Sequence, residues 1–383
     1  MNVLDGRDAY LRTIAQLTSE RAAARPLIES IRTSGKDLWE VDIPPEWRNA
    51  GFVQELTAVA AAILESDPRN SLSLAQLALA IATNIPTNAY PAPIQAQLEG
   101  DAWKEIGTAH RYMSEFEASL RAYDAAKRAY STANVHAHED AIIDFGRAVV
   151  LVDLNRCTEA IDILQRTEPV FETFADKKRL LKVKALRGCV CTRQYRWEEA
   201  RAFFESALSE LPSDDLETRS MLYANIGVAC TELGELNNAV LMLHEARQLK
   251  QDLGMPVEVN RCDWNLARVL LQTGEFAKAL PRFWQARQFF LENHMADDAG
   301  LAGLDMADAA IALGRLDEAR NLVGAVLSEF TTAKLNDRAL TALAYLRDVL
   351  PTTSQPSNAV RHVRRYLDRL QSEPALLFLP LPE

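Results

Sequence analysis

Residues 184–212 read KALRGCVCTRQYRWEEARAFFESALSELP, and two helices joined by a tight turn account for the landmarks in this stretch. Gly188 interrupts a helix-favouring run at a cost of about 1 kcal/mol relative to Ala, so a close contact must favour it there. After Tyr195, a second run places Ala200, Phe204 and Ala207 on one helical face. Pro212 then ends it. Two antiparallel helices cross closely only where one offers its partner a residue without bulk, which is the role this spacing gives to Gly188 and Ala200.

The same arrangement returns along the chain. Small residues stand at Gly107, Ala148, Gly188, Gly227, Ala267 and Ala307, in steps of 41, 40, 39, 40 and 40. Twelve residues after each comes a second small one: Ser119, Ala160, Ala200, Ala239, Ala279 and Ala319. Four further on is a large apolar residue: Tyr123, Leu164, Phe204, Leu243, Phe283 and Val323. Seven after the first small position a turn is expected, at Ser114, Asn155, Tyr195, Gly234, Gly274 and Gly314. The glycines there suit the left-handed conformation that ends a helix. Each unit is therefore read as helix, turn, helix.

Composition agrees with a continuous helical chain. Only 15 Gly and 16 Pro punctuate 383 residues, and the apolar side chains are mainly Ala and Leu. Acidic residues outnumber basic ones by 53 to 42, a net charge of −11, which argues against binding nucleic acid through its phosphates. No stretch approaches the roughly 18 apolar residues of a membrane span, and the start MNVLDGRDAY lacks the basic, then apolar, pattern of a secretory signal. A cytoplasmic protein without membrane contact is expected. Five cysteines, at 157, 189, 191, 230 and 262, read as buried thiols in a reducing compartment. Cys189 and Cys191 are two apart on a helix and point about 200° from each other, which disfavours a shared zinc.

These units resemble the tetratricopeptide repeat (TPR) family. Gly188, Trp197, Ala200, Phe204, Ala207 and Pro212 carry its small, aromatic, Ala, Phe, Ala and Pro landmarks. Trp103, Gly107, Phe116, Tyr123 and Ala126 do so in an earlier unit, and Gly227, Gly234, Ala239 and Ala246 in a later one. The resemblance spans residues 100–339 as six repeats and departs from the common period of 34 by about six residues per unit, as longer helices or connections such as Gln251 to Pro256. Longer repeats of this kind look like those of bacterial peptide-sensing regulators and some adaptors. The resemblance implies an all-α protein, a right-handed α-solenoid or superhelix of about six to eight helix-turn-helix repeats with irregular helical caps.

The flanks fit that frame. Residues 1–50 are read as an N-terminal helical module, with one or two amphipathic helices over 5–33 and a Trp/Pro segment from Leu38 to Trp47. Residues 51–99 hold a degenerate helix pair, broken and restarted at Asp67-Pro68-Arg69-Asn70, and a connection with three prolines. Residues 340–383 supply a C-terminal helix-pair cap and an apolar tail, EPALLFLPLPE from Glu373 to Glu383. The tail is expected to pack on its own chain, because free it would expose a hydrophobic strip.

No phosphate-binding glycine loop, G-x-S-x-G elbow or H-E-x-x-H helix occurs. The six histidines are scattered, and His136 and His138 would diverge on a helix. No catalytic residue, metal site or cofactor is expected, and the chain is read as non-enzymatic. Stacked helix pairs instead create a groove lined by the first helix of each unit. Its expected partner-binding residues are Lys104, Arg111, Lys182, Arg193, Asn225, Arg261, Trp264, Asn265 and Arg268, with Leu304 and Asp308 further along the lining. Asn225 and Asn265 hold one place in adjacent units, and an amide can both donate to and accept from an extended peptide backbone; ordinary contacts between helices are the competing role. The cations point to an acidic segment. The function expected is a protein- or peptide-binding scaffold, acting as an adaptor or regulatory subunit. The alternatives are a peptide-responsive regulator that sequesters or releases a partner, and a helper subunit of a hydrolase.

Overall fold

The computed structural model describes residues 3–33, 43–64, 67–113, 115–131, 137–293, 295–332, 337–370 and 376–381. All regular structure among them is helical, and the chain divides into two compact units.

The first unit comprises residues 1–151 and 158–177. It contains α1 (Val3–Thr33), α2 (Ala50–Ile63), α3 (Pro68–Thr83), α4 (Ala92–Tyr112), α5 (Phe116–Ser131), most of α6 (Ala137–Asp153) and most of α7 (Cys157–Thr173). Sequence chemistry sets the boundaries. Asn49 caps α2 by accepting from the Phe52 amide, and Asp67 caps α3 by accepting from the Asn70 amide, with Pro68 in the first helical position. A Cβ on Gly51 would stand 2.2 Å from Glu20 Cβ, so α1 packs on α2 almost backbone to backbone. Tyr90 joins the same region: its hydroxyl donates to Glu20 at 2.6 Å and accepts from the Ala50 amide at 3.0 Å. Burial, reinforced by the Glu20 carboxylate, pushes the Tyr90 phenol up to about 12.

The second unit comprises residues 152–157 and 178–383. It contains most of α8 (Lys177–Arg193), then α9 (Trp197–Glu210), α10 (Leu216–Glu232), α11 (Leu236–Asp252), α12 (Pro256–Gln272), α13 (Phe276–Glu292), α14 (Ala296–Ala312), α15 (Leu316–Thr332), α16 (Asp337–Val349) and α17 (Pro356–Leu370). From α10 to α15 every helix has 17 residues and every connection three. The residues beyond the common 34-residue period therefore extend the helices rather than the connections.

The repeat landmarks sit where close packing requires them. Ser119, Ala160, Ala200, Ala239, Ala279 and Ala319 are all fully buried, as are Phe204, Leu243, Phe283 and Val323. A Cβ on Gly188 would meet the Phe204 ring at 2.5 Å, and one on Gly227 would meet Leu243 at 2.7 Å. Each glycine thus yields to the large residue sixteen positions later. The turn positions Asn155, Tyr195, Gly234, Gly274 and Gly314 all have positive φ, from 54° to 78°; Ser114 lies outside the described residues. After α8, Arg196 donates to the Cys191 carbonyl at 2.9 Å, and Glu235, Glu275 and Arg315 repeat that bond after α10, α12 and α14, closing each helix in the same way. All five cysteines are free thiols, and burial pushes that of Cys262 up to about 11.

The last pair breaks the pattern. Forty residues after Ala307 comes Arg347, half-exposed and paired with its neighbour Asp348. A long cation cannot serve as the bulkless crossing residue, and α16 lacks one at that place. Ala359 and Val363, forty residues after Ala319 and Val323, keep the register of the second helix and are buried. It is α17, the second helix of the pair, that packs against α14. The tail follows it. Phe378 lies against Tyr345, Tyr366 and His362, with ring centroids 5.0 to 5.5 Å apart, and Tyr366 donates to the Leu376 carbonyl at 3.0 Å. Leu377 and Leu379 alternate outward and are exposed. The described part of the tail, residues 376–381, is thus packed on its own chain; residues 373–375, 382 and 383 lie outside the described residues, as do residues 38–42 of the Trp/Pro segment.

Candidate functional site

The second unit encloses a cavity of about 1370 Å³. One side is built from the first helices of successive repeats: Thr192 and Arg193 on α8, Val228 and Glu232 on α10, Trp264, Asn265 and Arg268 on α12, and Asp305 and Asp308 on α14. The opposite side is α17 and the tail, through Arg361, Arg364, Arg365, Asp368 and Phe378. The 40-residue period aligns these α8 to α14 positions, because residues one repeat apart take the same place on successive parallel helices.

Charge organises the cavity. Asp305 and Asp308 are 3% and 4% exposed, and buried carboxylates need partners. Asp305 has several: Trp264 Nε1 donates to it at 2.8 Å, Arg364 pairs with it from α17, and Arg268 Nε stands 4.0 Å away. The guanidinium of Arg364 also lies 6.0 Å from the Trp264 ring centre. Burial disfavours the Arg364 cation, but Asp305 and Asp368 beside it more than offset that and hold it charged. Asp308 has less: Arg361 Nε donates to Oδ2 at 2.8 Å, while Oδ1 is buried without a hydrogen-bond partner among the described residues.

Tyr195 stands at another part of the lining. Its φ of 59° costs an L-residue with a side chain roughly 1–2 kcal/mol, and later repeats avoid that cost by placing Gly234, Gly274 and Gly314 at the same turn. The ring sits edge-on to Trp197, with centroids 5.9 Å apart, so backbone strain is retained where an aromatic wall is gained.

Of the residues expected from sequence, Arg193, Trp264, Asn265 and Arg268 line the cavity. Arg193 makes no ion pair among the described residues. Arg268 is bound to Glu232 at 2.6 Å and donates to Asn265 at 3.4 Å. Asn225 takes the same place on α10 as Asn265 does on α12; it is half-buried, its amide makes no hydrogen bond among the described residues, and it is not part of the lining. Arg261 is held by Glu258 at 2.8 Å and Asp298 at 3.1 Å and is not part of the lining. Lys182 is exposed on α8. Lys104 and Arg111 belong to α4 in the first unit, where Lys104 pairs with Glu105 at 3.0 Å and Arg111 lies over the Tyr112 ring at 4.6 Å. The sequence reading missed Asp305 and the whole of α17. Asp305 was within reach, because it stands two residues before Ala307 as Asn265 does before Ala267. So was α17, which carries Arg361, Arg364, Arg365 and Arg369 within one helix of an acidic chain.

An all-helical fold of repeated antiparallel pairs, with a cavity lined by their first helices, defines a TPR α-solenoid. Residues 104–169 match the tetratricopeptide repeat family, and in its repeats and fold the chain resembles TPR proteins. Among solved structures it is similar to NprR in complex with its cognate peptide NprX, at 13% identity and a TM-score of 0.59, covering 95% of this chain and 99% of that one. It is also similar to a Rap protein complexed with competence and sporulation factor, at 12% identity and a TM-score of 0.55, covering 93% and 99%. The apo quorum sensor NprR from B. thuringiensis matches at 12% identity and a TM-score of 0.54, covering 90% and 99%. These likenesses establish a common fold. No curated protein matches the sequence. Among the described residues, no helix is long and apolar enough to cross a membrane, and no group of three or more His, Cys, Asp or Glu is placed to hold a metal ion.

Proposed function

We propose that this protein is a non-enzymatic, peptide-responsive regulator that binds a short peptide segment in the cavity of its second unit. The observation that carries this reading is the cavity itself, whose lining comes from four first helices and is polar at Arg193, Asn265 and Arg268. Asn265 supplies an amide for a peptide backbone, and Asn225, which holds the same place one repeat earlier but is not part of the lining, would extend that row only for a peptide reaching beyond the cavity. Arg193, free of carboxylate partners among the described residues, supplies a fork for an acidic group of the same peptide. Enclosure by α17 favours a short peptide over a long segment of a folded partner. Two of the structures with this fold hold, by their descriptions, a cognate peptide and a competence and sporulation factor, which supports the same direction. A cytoplasmic location belongs to this reading and is supported by the five free thiols.

The test is to purify the chain, identify co-purifying peptides by mass spectrometry, and resynthesise them for titration by fluorescence anisotropy. The N225A/N265A double variant should bind at least tenfold more weakly while keeping its helical circular dichroism. Retention of native affinity by that variant would remove the cavity from the explanation.

A further inference from the structure

We infer that Asp308 is a cation-binding subsite of the cavity, covered in the free protein by the movable side chain of Arg361, and that it receives an ammonium or basic side chain of the bound peptide. This rests on the peptide-binding reading above and assigns the chemistry of one ligand group.

The two buried aspartates of α14 differ in how they are satisfied. Asp305 is engaged on both oxygens by Trp264 and Arg364, and the Arg364 side chain is only 15% exposed. That pair is part of the wall. Asp308 is equally buried, but its one donor is Arg361, whose side chain is 56% exposed, and its Oδ1 is an orphan acceptor. A buried carboxylate oxygen without a donor is costly, and a ligand that supplies a charge-assisted donor recovers that cost.

The helix that carries Arg361 does not need to move. Val360, Val363, Leu367 and Leu370 hold α17 in the core of the unit, so exchange requires only that one half-solvated side chain swing outward, a fast motion for an exposed rotamer. In the lining Arg268 is neutralised by Glu232 and Arg364 by Asp305, and Asp368 stands with the further cations Arg193, Arg365 and Arg369. Asp308 stands one repeat after Arg268, so the lining changes from cation to anion between α12 and α14. A peptide lying along it meets Arg193 and the Asn265 amide at one part and Asp308 at another, which selects a ligand with its charges separated.

Three pentapeptides with a C-terminal fluorophore test this on the full-length protein: acetylated pentaalanine, pentaalanine with a free amino terminus, and acetylated Ala-Ala-Lys-Ala-Ala. The expected result is that one or both cationic peptides bind about tenfold tighter than the neutral one. The arm that binds identifies the source as a terminal ammonium or a side chain. Asp308→Asn should remove the preference, and Arg361→Gln, whose amide can still donate to Asp308, should raise cationic-peptide affinity several-fold while keeping the native helical circular dichroism. If Asp308→Asn proves unfolded by circular dichroism, the Arg361→Gln comparison decides alone, unchanged affinity overturning the assignment. Equal binding of all three peptides, lost in N225A/N265A, would overturn this subsite while leaving the cavity reading intact. No binding of any peptide overturns both.

Discussion

Helices α12 and α14 are successive copies of one repeat position, and they live in opposite surroundings. Arg261, Trp264, Asn265 and Arg268 of α12 become Leu301, Leu304, Asp305 and Asp308 in α14. On α12, Asn265 and Arg268 are half-buried at the cavity. On α14 every residue from Ala299 to Ala310 is buried, because α13 and α15 flank it and α17 packs against it as well. A helix enclosed on all sides has to be apolar or paired throughout. Its sequence, rich in Ala and Gly, meets the first demand; Asp305, held by Trp264 and Arg364, meets the second, and Asp308, held by Arg361 on one oxygen, meets it in part. The difference shows that the small-residue register decides where each helix goes, while charge decides what covers it.

The largest effect comes from erasing that difference. Giving α14 the residues of α12, as Asp305→Asn with Asp308→Arg, leaves Arg364 without its carboxylate and sets a new cation against Arg361. Breaking a buried pair on one side costs about 3–5 kcal/mol. Urea unfolding should show a loss of that size, and amide exchange should localise it to residues 356–370. A loss below about 1 kcal/mol, or exchange unchanged in α17, would mean that apolar packing alone holds the helix.

Next in size is a single methyl group. A Cβ on Gly300 would stand 2.2 Å from the Phe330 ring, whereas the same place on α12 is taken by Asn260. Gly300→Ala should therefore destabilise by about 1–3 kcal/mol despite the better helix propensity of Ala. Substituting Asn260 by Ala should change stability by no more than about 0.5 kcal/mol. Thermal unfolding of the two variants side by side checks this.

A smaller effect has the opposite sign. Tyr195→Gly relieves a left-handed tyrosine and should stabilise the fold by up to about 1 kcal/mol, some of it offset by glycine's greater unfolded freedom. The same change removes an aromatic wall of the cavity and should weaken peptide binding. A variant that gains stability without losing affinity would show that Tyr195 has no part in the site.

Much of this was legible in the sequence. The register of Gly188, Ala200 and Phe204 carried the helix pairs because tight crossings tolerate so few residue types, and the turn positions followed from φ demands that Gly and Asn meet. The cavity residues were only partly legible. Trp264, Asn265 and Arg268 follow from the period, but whether a cation on the lining is free depends on contacts from residues far along the chain. Arg268 meets Glu232 thirty-six positions away, and Arg364 meets Asp305 fifty-nine away. A repeat alignment compares each unit with the next and has no place for a helix that folds back on an earlier one, so α17 read as an ordinary cap.

Arg261 provides the finest test of the contrast between the two helices, because it ties the half-open one to the enclosed one. Lys250 on α11 pairs with Glu258 at 3.0 Å, Glu258 with Arg261 at 2.8 Å, and Arg261 reaches Asp298 on α14 at 3.1 Å. Burial works against the Glu258 carboxylate, but Arg261 and Lys250 outweigh it and hold its pKa below the ordinary value of 4.5. A carboxyl depressed in the folded state contributes stability fully present above its unfolded value and lost as pH falls through the folded one. The stability difference between the native chain and Glu258→Gln should hence be flat from neutral pH to about 5 and shrink below 4.5. Because Glu258 is about a third exposed, the plateau should be no more than about 1 kcal/mol. Arg261→Ala should cost a similar amount and leave peptide affinity unchanged, since its guanidinium is spent on Glu258 and Asp298. If Arg261→Ala instead abolishes binding at unaltered stability, the arginine belongs to the site, and the boundary between the open and enclosed helices lies one turn earlier on α12 than drawn above.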